Sequence, residues 1–203
     1  MSKPWRVVLA SQSPARLATL RSAGIDPEVI VSGVDESVIS AERVPELVAE
    51  LARLKASAVV ERISPAAEPT IVIGGDSLLE LDGKPYGKPA DHAEAVARWR
   101  RMRGRDGVLH TGHQVMIIDE SGVRERNRTA STTVRFADLS DAEIEAYVAT
   151  GEPLQVAGAF TVDGLGGPFV SGIDGDFHTV VGISLPLLRE LLGELGVSWP
   201  ELW

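Results

Sequence analysis

The apolar positions of this chain fall into strand-length runs and helical spacings that take turns along it. Val7-Val8-Leu9-Ala10 is a short unbroken apolar run, which predicts a buried strand. Ser13 then stands as a helix N-cap and Pro14 as the first helical residue. Leu17, Leu20 and Arg21 continue that helix, and Gly24 sits where a C′ glycine belongs. Val29-Ile30-Val31 predicts a second strand that runs into the turn Gly33-Val34-Asp35-Glu36-Ser37. Pro45 opens a longer helix with Leu47, Leu51, Leu54 and Ala58 at helical spacing on one face. A Pro/Ala loop at 64–69 precedes Thr70-Ile71-Val72-Ile73, the strongest strand signal, which Gly74-Gly75-Asp76-Ser77 should end. Residues 78–81 and the turn Asp82-Gly83 predict a hairpin, and Gly87-Lys88-Pro89 a loop.

The second half keeps the alternation. Asp91 caps a helix whose apolar face is Ala95, Val96, Trp99 and Met102, closed by Gly104. A strand over 108–118 is expected to break at Thr111-Gly112, and 131–136 alternates as another strand. Ser140-Asp141-Ala142-Glu143 is a capping box, with Ile144, Tyr147 and Val148 on one face of the helix it starts. The Gly-dense stretch 158–182 reads as tight loops and strands, and 185–195 as a closing helix. Strands alternate with helices while some neighbouring strands read as antiparallel. The fold class is therefore α/β with a mixed sheet flanked by helices, in one domain over 1–203.

Composition narrows the chemistry. The 203 residues carry a net charge of −9 without a basic tail, which disfavours wrapping duplex nucleic acid. An acidic protein can still hold a nucleotide where a few cations converge in a cleft. The chain has no cysteine, so disulfides, thiolate metal sites and thiol catalysis are excluded. No apolar run approaches membrane-spanning length and no apolar leader opens the chain, which predicts a soluble, cytoplasmic protein without a membrane partner.

The strand-to-helix turn at residues 10–16 is the first candidate site. Free N–H groups and the helix dipole at such a turn favour an anion. Ser11 and Ser13 add hydroxyl donors, and Arg16 can fold back with a bidentate fork. The same stretch also reads as an ordinary capped helix with a surface arginine. Asp76 follows a buried strand at its carboxyl end, where ligands of open α/β sheets bind, and can hold a divalent ion or activate a water. Asp35 and Glu36 can share a metal with Asp76, or form a solvated acidic turn. Lys55 interrupts the apolar face of its helix, and Lys88 stands rigidly between Gly87 and Pro89; each also reads as a plain surface lysine.

Together these pieces resemble one family. Leu9-Ala10-Ser11-Gln12-Ser13-Pro14-Ala15-Arg16 is similar to the L-A-S-x-S-P-x-R signature of the bacterial Maf family of nucleoside triphosphate pyrophosphatases. Val34-Asp35-Glu36, Leu51-Ala52-Arg53-Leu54-Lys55-Ala56, Ile73-Gly74-Gly75-Asp76-Ser77 and Gly87-Lys88-Pro89 match further motifs in order, and so do Gly151-Glu152-Pro153, Ala157-Gly158-Ala159-Phe160 and Val180-Val181-Gly182. The resemblance implies a two-lobed mixed α/β fold with the nucleotide in the cleft between lobes, often as a homodimer. It implies hydrolysis of a nucleoside triphosphate to monophosphate and pyrophosphate with Mg²⁺ or Mn²⁺. By position it makes Asp76 the proton acceptor, Ser11, Ser13, Arg16, Lys55 and Lys88 phosphate contacts, and Glu36 and Asp76 the metal or water ligands.

The chain departs from the family pattern at three positions that differ between its subfamilies. Ala15 stands where the dTTP/UTP type has Arg and the 7-methyl-GTP type Trp; Ser77 is nearer to the Thr of the first type; Asp163 matches neither the Gln nor the Glu found before Gly164. Small residues at the first two suggest a roomier pocket, and the balance leans to pyrimidine triphosphates (dTTP, UTP or CTP) in a house-cleaning role. The rivals are a 7-methyl-GTP or modified-purine pyrophosphatase and, in a different class, a non-enzymatic cell-division regulator. Gly107 stands where the family has a histidine; His110, nearby but out of register, reads as a strand-surface residue or as a substitute for it, and His178 as a loop residue. Trp5, Trp99, Trp199 and Trp203 are expected in the core or an interface, with base stacking as the other reading for Trp5.

Overall fold

Three long strands carry the architecture, because each crosses two separate cores. The computed structural model describes residues 5–36, 39–63 and 68–203; Ser37 and residues 64–67 of the expected loop lie outside it. The strands are β1 (Arg6–Ala10), β2 (Glu28–Val29), β3 (Thr70–Leu81), β4 (Lys84–Tyr86), β5 (Asp106–Asp119), β6 (Gly122–Phe136) and β7 (Val170–Asp174). The helices are α1 (Pro14–Ser22), α2 (Val44–Ile63), α3 (His92–Met102), α4 (Asp141–Ala149), α5 (Phe177–Val181) and α6 (Leu185–Glu194). The strands join one mixed sheet in the order β2-β1-β3-β5-β6-β7, with β4 added to β3. β1 is parallel to β2 and β3, and every other pairing is antiparallel.

Pleating sorts the first lobe into two faces. Val7, Leu9, Ile71, Ile73, Val115 and Ile117 face α6, whose Leu188, Leu191 and Leu192 are fully buried. Val8, Ala10, Val72, Met116 and Ile118 face α2 through Ala56, Val59 and Val60. A further core forms along the far halves of the same strands, from Leu79, Leu81, Leu109, Val134 and Phe136 under α3 and α4. Trp99 sits at its centre, edge-on to Phe136 and Tyr147, with its indole N–H donated to the Ala159 carbonyl at 2.7 Å. The two-lobed, mixed α/β expectation is met.

The local signals behave as physical chemistry requires. Ser13, Asp91 and Ser140 each accept a backbone N–H as N-caps, and Ser140 completes its capping box. Several boundaries differ. β2 has only two residues rather than three, and β3 does not end at Gly74 but runs on to Leu81. β5 is unbroken at Thr111-Gly112, and β6 starts at Gly122. The buried stripe of α2 is Val44, Val48, Leu51, Ala52, Ala56 and Val59, which leaves Leu47, Leu54 and Ala58 half-buried at its margin. Among the described residues no helix is long and apolar enough to cross a membrane.

Candidate active site at the seam of the two lobes

One edge of β3 is bare at its middle. β1 pairs with it as far as Ala10–Gly74, and β4 begins only at Leu79–Tyr86. Between these, residues 75–78 pair with β5 on one side and, among the described residues, with no strand on the other. The gap is flanked by Ser11 at the end of β1 and by Gly87-Lys88 after β4. Asp76 and Ser77 lie inside it and, as strand neighbours, point to opposite faces.

On the α2 face the backbones meet. A Cβ on Gly74 would overlap Ala52 O and come 2.9 Å from Ala56 Cβ, and one on Gly112 would overlap Val48 O. Glycine at these points of β3 and β5 lets α2 lie directly on the seam and brings Lys55 over Asp76. Lys55 Nζ is 2.5 Å from Asp76 Oδ1 and 2.8 Å from Glu36 Oε1. Asp76 and Lys55 are largely buried, whereas Glu36 is half exposed.

On the other face Arg16 is buried and uses all three guanidinium nitrogens. Nε donates to Gly182 O at 2.7 Å, one terminal nitrogen to Ser11 Oγ at 3.0 Å, and the other to Ser77 Oγ at 2.8 Å. Burial lowers its pKa, opposed by the negative charges of Asp76 and Glu36, and the guanidinium stays charged. The bidentate fork expected to face an anion is thus already spent on the protein; only the second N–H of each terminal nitrogen is left over. Thr111 Oγ1 donates to Thr179 O at 2.9 Å, so the Ser77 hydroxyl must donate to Thr111 while accepting from Arg16. Ser11 Oγ accepts from Arg16 and from the Ser13 N–H, which leaves its own proton for a ligand. Ser13 Oγ caps α1 at the Arg16 N–H.

Beneath this set lies His113, fully buried. Its Nδ1 is 3.0 Å from Thr111 O and so donates; its Nε2 accepts the Ser184 N–H at 2.8 Å. Burial, and then the charge of Arg16, push its pKa down to about 4, so the ring is neutral.

The remaining candidates spread outward. Lys88 is exposed on its loop and has no hydrogen bond or ion pair among the described residues. Of the three cations only Lys55 touches Asp76; Arg16 sits on the neighbouring Ser77. Ala15 and Asp163 line one cavity of about 290 Å³ with Phe177, His178 and Val181, and Ser77 does not reach it. A larger cavity of about 750 Å³, walled by Trp199, Trp203 and Leu185, contains none of Asp76, Lys55 and Lys88. His110 is not a surface residue: it is buried between Ser131 Oγ at 2.7 Å and Glu80 Oε2 at 3.0 Å. His178 is half exposed in α5 rather than in a loop, 3.5 Å from Asp176. Trp99 is in the core, whereas Trp203 is exposed and donates its indole N–H to Ala23 O.

The residues fit a hard divalent cation. Glu36 and Asp76 supply carboxylate oxygens only, and an ammonium already bridges them, so the pair accommodates positive charge. Among the described residues no three His, Cys, Asp or Glu side chains converge on a metal position. Two carboxylates completed by phosphate oxygens and water are the usual Mg²⁺ arrangement.

Sequence reading missed Thr111, Gly182 and His113 as parts of this site. Thr111 and His113 look like ordinary strand residues, and the role of Gly182 is carried by its carbonyl, which no side-chain pattern marks.

Comparison with known proteins identifies the family. The family model described as Maf-like protein matches residues 6–195. A nucleoside triphosphate pyrophosphatase of Salinispora tropica is 61% identical over 203 residues, covering 100% of this chain and 89% of that one. Proteins of the same name from Streptomyces avermitilis and Streptomyces coelicolor are 59% and 57% identical, each over 98% of this chain and 94% of theirs. Among solved structures, the Staphylococcus aureus Ham1 protein matches at 17% identity and a TM-score of 0.39 over 66% of this chain and 72% of that one, too slight a likeness to argue from.

Proposed function

The chain belongs to the Maf-like protein family, and on that premise we propose that it hydrolyses nucleoside triphosphates to the monophosphate and pyrophosphate. The observation that carries this reading is the Lys55–Asp76–Glu36 cluster at the bare edge of β3, between Ser11 and Lys88. A carboxylate that takes a proton from water must be reached by it, and the Asp76 side chain, 12% exposed, lies on a stretch of strand edge that no other strand covers among the described residues. Asp76 is the proton acceptor for a water directed at the α-phosphorus, and the Asp76–Lys55 contact fixes its orientation. Charge then builds on the phosphoryl and leaving-group oxygens. Lys55 from α2 and the free Ser11 proton meet it there, while Lys88, from across the gap, holds the triphosphate equally in the ground state and the transition state. Arg16 adds its charge from behind Ser77 and holds Ser11 and Ser77 in place, and Ser13 anchors the turn. A divalent cation, Mg²⁺ or Mn²⁺, bound by Glu36 and Asp76 would supply further neutralisation of phosphate charge.

The base belongs in the cavity between Ala15 and Asp163, and we assign it to a pyrimidine. The cavity of about 290 Å³ takes either ring size, and the assignment is supported by Ser77, which is nearer to the Thr of the dTTP/UTP type. House-cleaning removal of such nucleotides, the cytoplasm and a homodimer follow from the family resemblance and belong to the same proposal.

Product analysis tests it. The pure protein is incubated with dTTP, UTP, CTP and 7-methyl-GTP in the presence of Mg²⁺ or Mn²⁺. Monophosphate with pyrophosphate, fastest for a pyrimidine, is the expected outcome. Orthophosphate would make it a phosphatase, a faster 7-methyl-GTP rate would reassign the base, and no turnover would favour the regulator.

A further inference from the structure

Lys88 stands on a loop whose two ends are gripped by a single ion pair on α3. Arg98 is buried, with one terminal nitrogen donating to Gly87 O at 2.5 Å and the other to Glu94 Oε1 at 2.6 Å. The second oxygen of Glu94 accepts the Ala90 N–H at 2.7 Å. The pair thus closes over Gly87-Lys88-Pro89-Ala90 from both sides. Tyr86 lies under the guanidinium, 4.9 Å from ring centre to Cζ. The Gly158 N–H adds a second donor to Gly87 O at 3.0 Å, and Pro89 is buried.

A surface ion pair would not explain this arrangement. The Arg98 side chain is 3% exposed, and its Nε has no hydrogen-bond partner. A buried N–H without a partner carries a desolvation cost that a solvent-facing arginine would avoid. The guanidinium is held in a costly place, and the groups it does satisfy are the loop carbonyl before Lys88 and the carboxylate that holds the N–H after it. Lys88 itself has no hydrogen bond or ion pair among the described residues to fix it.

We propose that the Glu94–Arg98 pair is a positioning device for Lys88, setting the loop so that its ammonium reaches across the bare edge of β3 to the triphosphate. The proposal rests on Lys88 as a phosphate contact and adds two residues that touch no substrate. A positioning residue of this kind changes substrate affinity through Lys88, so its effect vanishes once Lys88 is gone.

The test is a double-mutant cycle on the full chain, with KM and kcat for dTTP measured in R98M, K88M and the double variant. Expected is a rise in KM of about tenfold for K88M and about fivefold for R98M, with kcat within about twofold, as for loss of one charge-assisted hydrogen bond. The double variant should match K88M. Multiplying effects would mean general loosening and would overturn the proposal, as would an unchanged KM in R98M. Unchanged KM in K88M would remove Lys88 from the phosphate site, and the positioning role with it; a silent R98M beside an impaired K88M removes the positioning role alone. If thermal unfolding shows R98M poorly folded, E94Q enters the same cycle, since its single acceptor oxygen cannot serve both the Ala90 N–H and Arg98 while the arginine's place stays filled.

Discussion

Lys55 Nζ lies 2.5 Å from Asp76 Oδ1, so a helix residue and a strand residue 21 positions apart meet where, among the described residues, the middle of β3 has no strand on one edge. The contact depends on two glycines elsewhere. Without Gly74 and Gly112 the α2 backbone would stand off the sheet and the ammonium would fall short.

Removing one member of this pair should differ from removing both. K55M leaves Asp76 buried without its cation and should cost about 2 kcal/mol of stability. D76N is milder because Lys55 keeps Glu36. The double variant should be more stable than K55M in urea unfolding. Additive losses would show that the pair does not depend on its burial.

D76N should also lower turnover by about 10²-fold or more, the usual worth of a proton acceptor. A variant that remains folded and turns over dTTP near the wild-type rate would remove Asp76 from the chemistry.

Gly112→Ala should be among the costliest single-methyl changes in the chain. Its Cβ overlaps the Val48 carbonyl, which is α2 backbone and cannot rotate away. A loss of about 3 kcal/mol is expected from overpacking a helix–sheet contact, together with reduced activity because Lys55 rides on the displaced helix. Gly193→Ala, in open space on α6, is the control and should be neutral or slightly stabilising.

How much of this was legible follows from how local each cause is. Ser13, Asp91 and Ser140 could be read because a cap needs only residues within one turn. Gly74-Gly75-Asp76-Ser77 read as a strand end because that composition normally marks a turn. Here the glycines answer α2 on one face and Arg16 on the other, and no sequence window holds both. β6 was half missed for a related reason: Arg124, Arg126 and Arg128 alternate outward, and their partners Asp119, Glu190 and Glu194 come from a neighbouring strand end and from α6. The site residues were found where they carry a charge or hydroxyl in a motif. Thr111 and Gly182 act through a buried hydroxyl chain and a carbonyl, and Arg98 through a loop, so even where they fall in a family motif no side-chain pattern assigns them a role.

The cavity beside Ala15 can be tested by filling it. Ala15→Trp places a large ring opposite Asp163 and should lower kcat/KM for dTTP by about tenfold or more while sparing thermal stability, since Ala15 is only half buried. Equal kcat/KM in the two proteins for dTTP and 7-methyl-GTP alike would exclude the cavity as the seat of the base.

His113 makes the fold acid-sensitive. Burial and the Arg16 charge hold its pKa at about 4 in the folded state, against an ordinary value near 6.5 when unfolded. Between these values the unfolded chain binds the extra proton, so stability rises with pH across the window and is lost as pH falls from about 6.5 toward about 4. The full loss is about 3 kcal/mol if the ring is the main titrating group. Charging it would also put a proton on Nε2, facing the Ser184 N–H that it now accepts, and would free the N-terminus of α6 next to Arg16. His113→Gln keeps an acceptor for Ser184 and cannot titrate. Urea unfolding from pH 4 to 7 should therefore show a slope in wild type that flattens in H113Q, and equal slopes would place the acid sensitivity elsewhere.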